Sequence, residues 1–284
     1  MKSLFQSKQG KKEILSLYDE KLKSLEIEFE YLTINTSFGN TNIITAGNPL
    51  NPPIMLVHGS NGCAPIALET YSNLHKSYRV YAIDVLAQPN KSAETRLSMK
   101  DDSYGKWVIE LIEKLKIDKV SMAGFSFGGL IILKTLEYDE SKISEVFLSS
   151  PAYIVNGNPL KALFKIFIPM KQYIKSKNTK YIEKFLAELF TTRDEFAYKY
   201  LSKVFVEFEM DFTPVPIIKA NKARNIKTPI TVFAAQNDVI FPGKKMLKRA
   251  KKIFPSLKLS KLIIDSKHVQ SKEQNLMIEE IIMK

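Results

Sequence analysis

Six short, nearly continuous apolar runs constrain the fold of this chain more than any other feature. They are Ile54–Val57, Val80–Ile83, Val120–Ala123, Val146–Leu148, Ile230–Ala234 and Leu259–Ile264. A strand with one wet face alternates apolar and polar residues, whereas a strand without alternation is covered on both faces. Helical patterns fall between the runs, near Pro65–Lys76, Ser103–Leu115, Leu130–Glu137 and Lys244–Phe254. Strands interleaved with helices in this way predict a mostly parallel sheet between two helical layers, a doubly wound α/β fold. With 284 residues, 45% of them hydrophobic, the chain can fill such a core as one domain carrying an insertion.

Two stretches stand outside this rhythm. Residues 1–30 predict an amphipathic helical extension, with Ile14, Leu15, Tyr18, Leu22 and Leu25 at near-helical spacing, followed by an alternating segment that turns at Phe38-Gly39-Asn40 into an antiparallel start. Residues 152–225 are helical and aromatic-rich with no buried strand, and predict a helical lid over the carboxyl edge of the sheet. The core then comprises 31–151 and 226–284. Within the lid, "LKALFKIFIPMKQYIK" sets Lys161, Lys165, Lys171 and Lys175 on one side and Leu163, Ile166, Phe167, Met170 and Ile174 on the other. A helix lying on a membrane has that pattern, and so does a lid helix packed over a pocket; Pro169, which would kink it, favours the lid.

Forty-two Lys and Arg against 30 Asp and Glu leave a net charge of +12. Only five of the cations are arginine, and the lysines are spread over many segments, which predicts a solvated surface and argues against a nucleic-acid partner. No apolar run is long enough for a secretory signal or a spanning helix, so the expectation is a cytoplasmic protein without stable membrane insertion. A single cysteine, Cys63, excludes an internal disulfide and fits a reducing compartment. No His, Cys or carboxylate cluster has metal-ligand spacing, and no metal or cofactor is expected.

The chemistry concentrates in "VSMAGFSFGGLIIL", where Gly124-Phe125-Ser126-Phe127-Gly128 joins a predicted strand to a predicted helix. A G-x-S-x-G turn in that setting lifts the serine hydroxyl above the sheet and aims the next backbone N–H at the same point. A serine needs a base, usually histidine, and a carboxylate to steady it. Of three histidines, His75 sits at a helix end and His58 directly follows a buried strand, which leaves His268, in the loop after the last strand. Asp238 follows the penultimate strand. Its rival Asp265 stands three residues from His268, and Asp194 and Asp211 fall in the lid. Two N–H donors for an oxyanion are expected at Phe127 and in the loop "HGSNG", at Ser60 with Asn61 as the fallback. Cys63, close by, reads as a small packing residue.

These residues together make the chain resemble the α/β-hydrolase superfamily, and more narrowly bacterial carboxylesterase-type serine hydrolases. The likeness runs from about residue 15 and is strongest over 54–135. It implies an eight-stranded, mostly parallel sheet with helices inserted after strand 6, and hydrolysis through an acyl-enzyme on Ser126, His268 and Asp238. It also supports Ser60 and Phe127 as the oxyanion donors. The expected substrate is a small to medium apolar carboxylic ester, handled by a monomer or dimer. Thioester or C–C bond hydrolysis, a cofactor-free perhydrolase reaction, or a non-catalytic binding protein at an anionic membrane are the alternatives. Where many relatives have a Gly-rich turn after the fourth strand, Asp84 here leads into "VLAQPNKS", which predicts a differently shaped entrance loop.

Overall fold

A computed structural model describes residues 3–284; the first two residues of the expected N-terminal extension lie outside the described residues. Each apolar run forms a strand of one sheet: β3 (Pro53–Val57), β4 (Arg79–Ile83), β5 (Val120–Phe125), β6 (Ile143–Ser149), β7 (Ile230–Ala235) and β8 (Leu257–Ile263). The alternating segment supplies β1 (Phe29–Thr36) and β2 (Gly39–Ala46). The order is β1-β2-β4-β3-β5-β6-β7-β8. Pairing is antiparallel from β1 through β2 to β4 and parallel across the rest. This is the eight-stranded, mostly parallel sheet that the family resemblance implies.

Why the central runs lack alternation is visible in β3. Met55 and Val57 face one core while Ile54 and Leu56 face the other. The first core lies under α3 (Ser103–Lys114), α4 (Phe127–Tyr138) and α10 (Gly243–Ile253); the second lies under α1 (Lys8–Ser24), α2 (Ala64–Thr70) and α11 (Lys272–Ile282). Two helices differ in extent from their sequence patterns. The turn after Thr70 ends α2 early, and α4 begins three residues before Leu130, because its first turn is made of the elbow's own Phe127, Gly128 and Gly129.

Between β6 and β7 lie α5 (Pro159–Ala162), a π turn (Leu163–Phe167), α6 (Ile168–Ser176), α7 (Thr179–Leu189), α8 (Glu195–Glu207) and α9 (Ala220–Asn225). Pro169 has no N–H to give the preceding turn, and the helix accommodates it by widening into the π turn just before it. The N-terminal arm fastens this inserted region: Gln6 N–H donates to Glu207 O (2.8 Å), Glu209 N–H donates to Leu4 O (2.7 Å), and the rings of Phe5 and Phe208 meet edge to face at 5.0 Å.

Trp107 is the largest side chain sealed in the first core, and its indole N–H donates to Thr41 Oγ1 at 2.9 Å, tying α3 to β2. Trp107→Phe leaves both a void and an unpartnered hydroxyl. Urea unfolding followed by far-UV circular dichroism should register a loss of about 2–4 kcal/mol.

Candidate active site

The carboxyl ends of the parallel strands bring the chemistry together. At the end of β5 the chain turns into α4 through Ser126, whose φ of 53° and ψ of −113° are strained for a side-chain-bearing residue. Close packing enforces the bend. A Cβ on Gly128 would stand 2.1 Å from Val57 O, and one on Gly124 would stand 2.8 Å from the Gly128 carbonyl carbon. Only glycine allows α4 to cross β3 and β5 at this distance. Three backbone bonds then hold Ser126: its N–H donates to Ser149 O (3.0 Å), and its carbonyl accepts from Gly129 and Ala152 (2.9 Å each).

His268 lies in the loop after β8, and its Nε2 faces Ser126 Oγ at 2.9 Å. On the other side Nδ1 meets Asp238 Oδ2 at 2.7 Å. The second carboxylate oxygen of Asp238 accepts the N–H groups of Ile240 (2.7 Å) and Phe241 (2.9 Å). With Nδ1–H donating to the carboxylate, Nε2 is left as an acceptor for the serine hydroxyl. All three side chains are buried, and the rings of Phe125 and Phe241 flank the imidazole at 5.1 and 5.5 Å. Asp265 is exposed and Asp211 pairs with Arg96, so neither competes for the histidine.

Phe127 is the first residue of α4, and its N–H has no partner within the helix. The "HGSNG" loop packs against the elbow: a Cβ on Gly59 would lie 3.3 Å from Ser126 Cβ. Ser60 is exposed at this edge. Asn61, the expected fallback, is committed elsewhere, since its N–H donates to Gln88 Oε1 at 2.7 Å.

Residues beyond the expected ones also shape the site; sequence reasoning passed over Gln270 and gave His58, Asp84 and Cys63 no part in the chemistry. Gln270 spans from the histidine loop to the end of β6. Its amide donates to Ser150 Oγ (2.7 Å) and to His268 O (3.2 Å), and its carbonyl accepts from Ser149 Oγ (3.2 Å). His58 accepts the Val85 N–H at Nε2 (3.0 Å) and so carries its proton on Nδ1, which donates to Gly59 O (2.8 Å). Burial pushes its pKa down to about 4, so it is neutral and clamps the "HGSNG" loop to the loop after β4. Asp84 accepts from Ala64 N–H (2.7 Å), capping α2, and from Asn42 Nδ2 (2.8 Å); burial raises its pKa to about 6 against the pull of those bonds. Cys63 is buried beside it, and desolvation raises its thiol pKa, which leaves it protonated and inert. The only sequence signal for these residues was their placement just past strand ends.

The comparisons with known proteins agree with this fold. Residues 52–195 match the family model for the alpha/beta hydrolase fold. An uncharacterized carboxylesterase, nap, of Bacillus subtilis is 24% identical over 94% of this chain and 90% of its own length. The carboxylesterase YbfK of the same organism is 27% identical over 48% of this chain and 46% of its own. Among solved structures, naproxen esterase (carboxylesterase NP) from Bacillus subtilis superposes with a TM-score of 0.85 at 23% identity, covering 98% of both chains.

His58 generates a pH prediction. An unfolded histidine takes up a proton near pH 6.5, whereas the folded one resists until about 4. Its contribution to stability is therefore complete above 6.5 and is lost as pH falls toward 4. Asp84, with its folded pKa raised, works the other way over about 4 to 6. The difference in urea-unfolding free energy between wild type and His58→Gln isolates the first effect. Whatever the variant costs at pH 7, it should recover up to about 3 kcal/mol relative to wild type between pH 6.5 and 4.

Proposed function

The chain belongs to the alpha/beta hydrolase fold family, and on that premise we propose that it is a serine carboxylesterase acting on small to medium apolar carboxylic esters. The observation that carries the reading is the unbroken line from Ser126 Oγ through His268 to Asp238, with bonds of 2.9 and 2.7 Å, on a strained strand-to-helix turn. The two Bacillus relatives named as carboxylesterases support the ester class.

In this reading Ser126 Oγ attacks the ester carbonyl carbon as its proton passes to His268 Nε2. Asp238 keeps the imidazole in the Nδ1–H tautomer and stabilises the imidazolium. The developing oxyanion accepts the N–H groups of Phe127 and Ser60, with the start of α4 adding positive potential. The imidazolium then gives its proton to the leaving alcohol, and the acyl group stays on Ser126. Water, deprotonated by the same Nε2, attacks the acyl-enzyme and releases the acid. Residues 31–151 and 226–284 form the catalytic core, and the helices of 152–225 act as a lid whose inner side is the acyl pocket. Cys63, unpaired, fits a reducing, cytoplasmic setting.

The testing experiment is hydrolysis of a p-nitrophenyl ester series, with intact mass after a fluorophosphonate probe. Ser126→Ala and His268→Ala should lower kcat by about 10⁴–10⁶-fold and abolish the adduct. Asp238→Asn should cost about 10⁴-fold through the wrong tautomer. A folded wild type with neither turnover nor adduct would remove the esterase reading.

Gln270 is a positioning residue in the same scheme. Gln270→Ala frees the histidine loop and should cut kcat about 10–100-fold with little change in KM. The fluorophosphonate labelling rate should fall in parallel, because the same Nε2 must activate Ser126. A drop in thermal stability with unchanged kcat would make Gln270 merely structural.

A further inference from the structure

The inserted region has two apolar sides, and only one is used inside the molecule. Ile166, Met170 and Tyr173 turn inward and join the core formed with α7 and α8. The π turn leaves a second stripe outside: Leu160 and Phe164 are each 63% exposed, and Leu163 and Phe167 follow. Phe212, on the loop after α8, adds its exposed ring 6.4 Å from that of Phe167. The lysines stand on this outer side as well. Lys161, Lys171 and Lys175 are exposed, and among the described residues only Lys165 of the four is held in an ion pair, to Glu188 at 2.9 Å. The nearby acids of the 208–219 loop, Glu209 and Asp211, are engaged by Arg96. The stripe starts beside the active site, since Gly157 N–H donates to Ile240 O (2.7 Å) in the Asp238 turn and Asn158 caps α5.

We infer that this ridge of Leu160, Leu163, Phe164, Phe167 and Phe212 docks the active-site face onto a lipid surface carrying anionic headgroups. Exposed apolar residues rimmed by charge mark an interaction surface. Here the rim is cationic on a chain of net charge +12, and the apolar members are the aromatic and leucine side chains that enter the interfacial region. A neutral substrate entrance needs the apolar residues but not the lysines. An acidic soluble partner needs the lysines but not four exposed apolar side chains in one stripe. An anionic lipid surface uses both. No helix among the described residues is long and apolar enough to cross a membrane, so the contact is peripheral. Docking stands apart from the esterase reading; only its consequence, delivery of apolar esters dissolved in that surface, rests on it.

Sedimentation with vesicles tests the inference, using full-length Ser126→Ala so that no lipid is hydrolysed. Binding should be strong to phosphatidylcholine vesicles containing phosphatidylglycerol, weak to phosphatidylcholine alone, and reduced by salt. Phe164→Ser with Phe167→Ser should weaken binding about tenfold or more. Lys161→Gln, Lys171→Gln and Lys175→Gln together should weaken it about a hundredfold. Placed in the wild-type background, these exposed substitutions should leave kcat/KM on a soluble ester unchanged, which also certifies folding. Three outcomes overturn the inference: no binding to the anionic vesicles, binding indifferent to the two phenylalanines, or vesicle-free self-association that Phe164→Ser abolishes, which would assign the ridge to a second copy of the chain. Failure of ester turnover in the wild type would leave the vesicle result standing, so the two readings fail separately.

Discussion

The contact between the first turn of α4 and the end of β3 is the constraint on which the rest of the site depends. Parallel pairing sets Val57 opposite Gly124, so the loop leaving β3 and the bend leaving β5 emerge side by side. Gly128 then lets α4 press onto the Val57 carbonyl, and the chain can make that approach only if Ser126 takes a positive φ. The cost of the strained residue is local. It is offset by the buried face of α4, where Leu130, Ile131, Ile132 and Leu133 are all inaccessible to solvent. Ser126, on its strained turn, is thus held by the packing of a whole helix, and its hydroxyl and the next N–H cannot drift apart.

The other two members of the constellation are fixed by the same logic of neighbouring strands. Pairing of β7 with β8 sets Ala235 opposite Ile263, so the Asp238 and His268 loops leave the sheet together and are cross-linked by Asn237 N–H to Ser266 O at 2.8 Å. Asp238 spends one oxygen on two backbone N–H groups and the other on the imidazole, which satisfies a buried carboxylate without a counter-cation. Buried polar groups that are fully hydrogen-bonded specify one arrangement, and Gln270, Ser149 and Ser150 extend that specification to the histidine's own backbone.

Much of this was legible in the sequence for a physical reason. Strands covered on both faces leave continuous apolar runs, and reacting groups in such folds sit just beyond their carboxyl ends. With three histidines in the chain, that rule alone separates His268 from His75. The hidden parts are those carried by contacts between distant residues. Nothing local to Gln270 announces that it reaches Ser149, 121 residues earlier. Nor does the N-terminal arm advertise that Leu4 and Gln6 will add backbone bonds to Glu207 and Glu209. The lid pattern was readable as amphipathic, but a regular helical wheel places Leu163 and Phe167 with Ile166 and Met170. The π turn shifts the phase and sends the two sets to different environments.

The inserted helices bond directly to the loops that carry His268 and Asp238. Val269 N–H donates to Leu189 O and Thr191 N–H donates to Val269 O, so the residue after His268 is strapped on both sides by the end of α7. On the opposite flank, a Cβ on Gly157 would stand 2.4 Å from Val239 O, so the chain entering α5 lies directly on the Asp238 turn. Midway along α8, Tyr200 adds a further anchor, its hydroxyl donating to Pro89 O at 2.7 Å in the loop after β4. A rigid swing of the whole insertion would break the supports of His268 and Asp238 together.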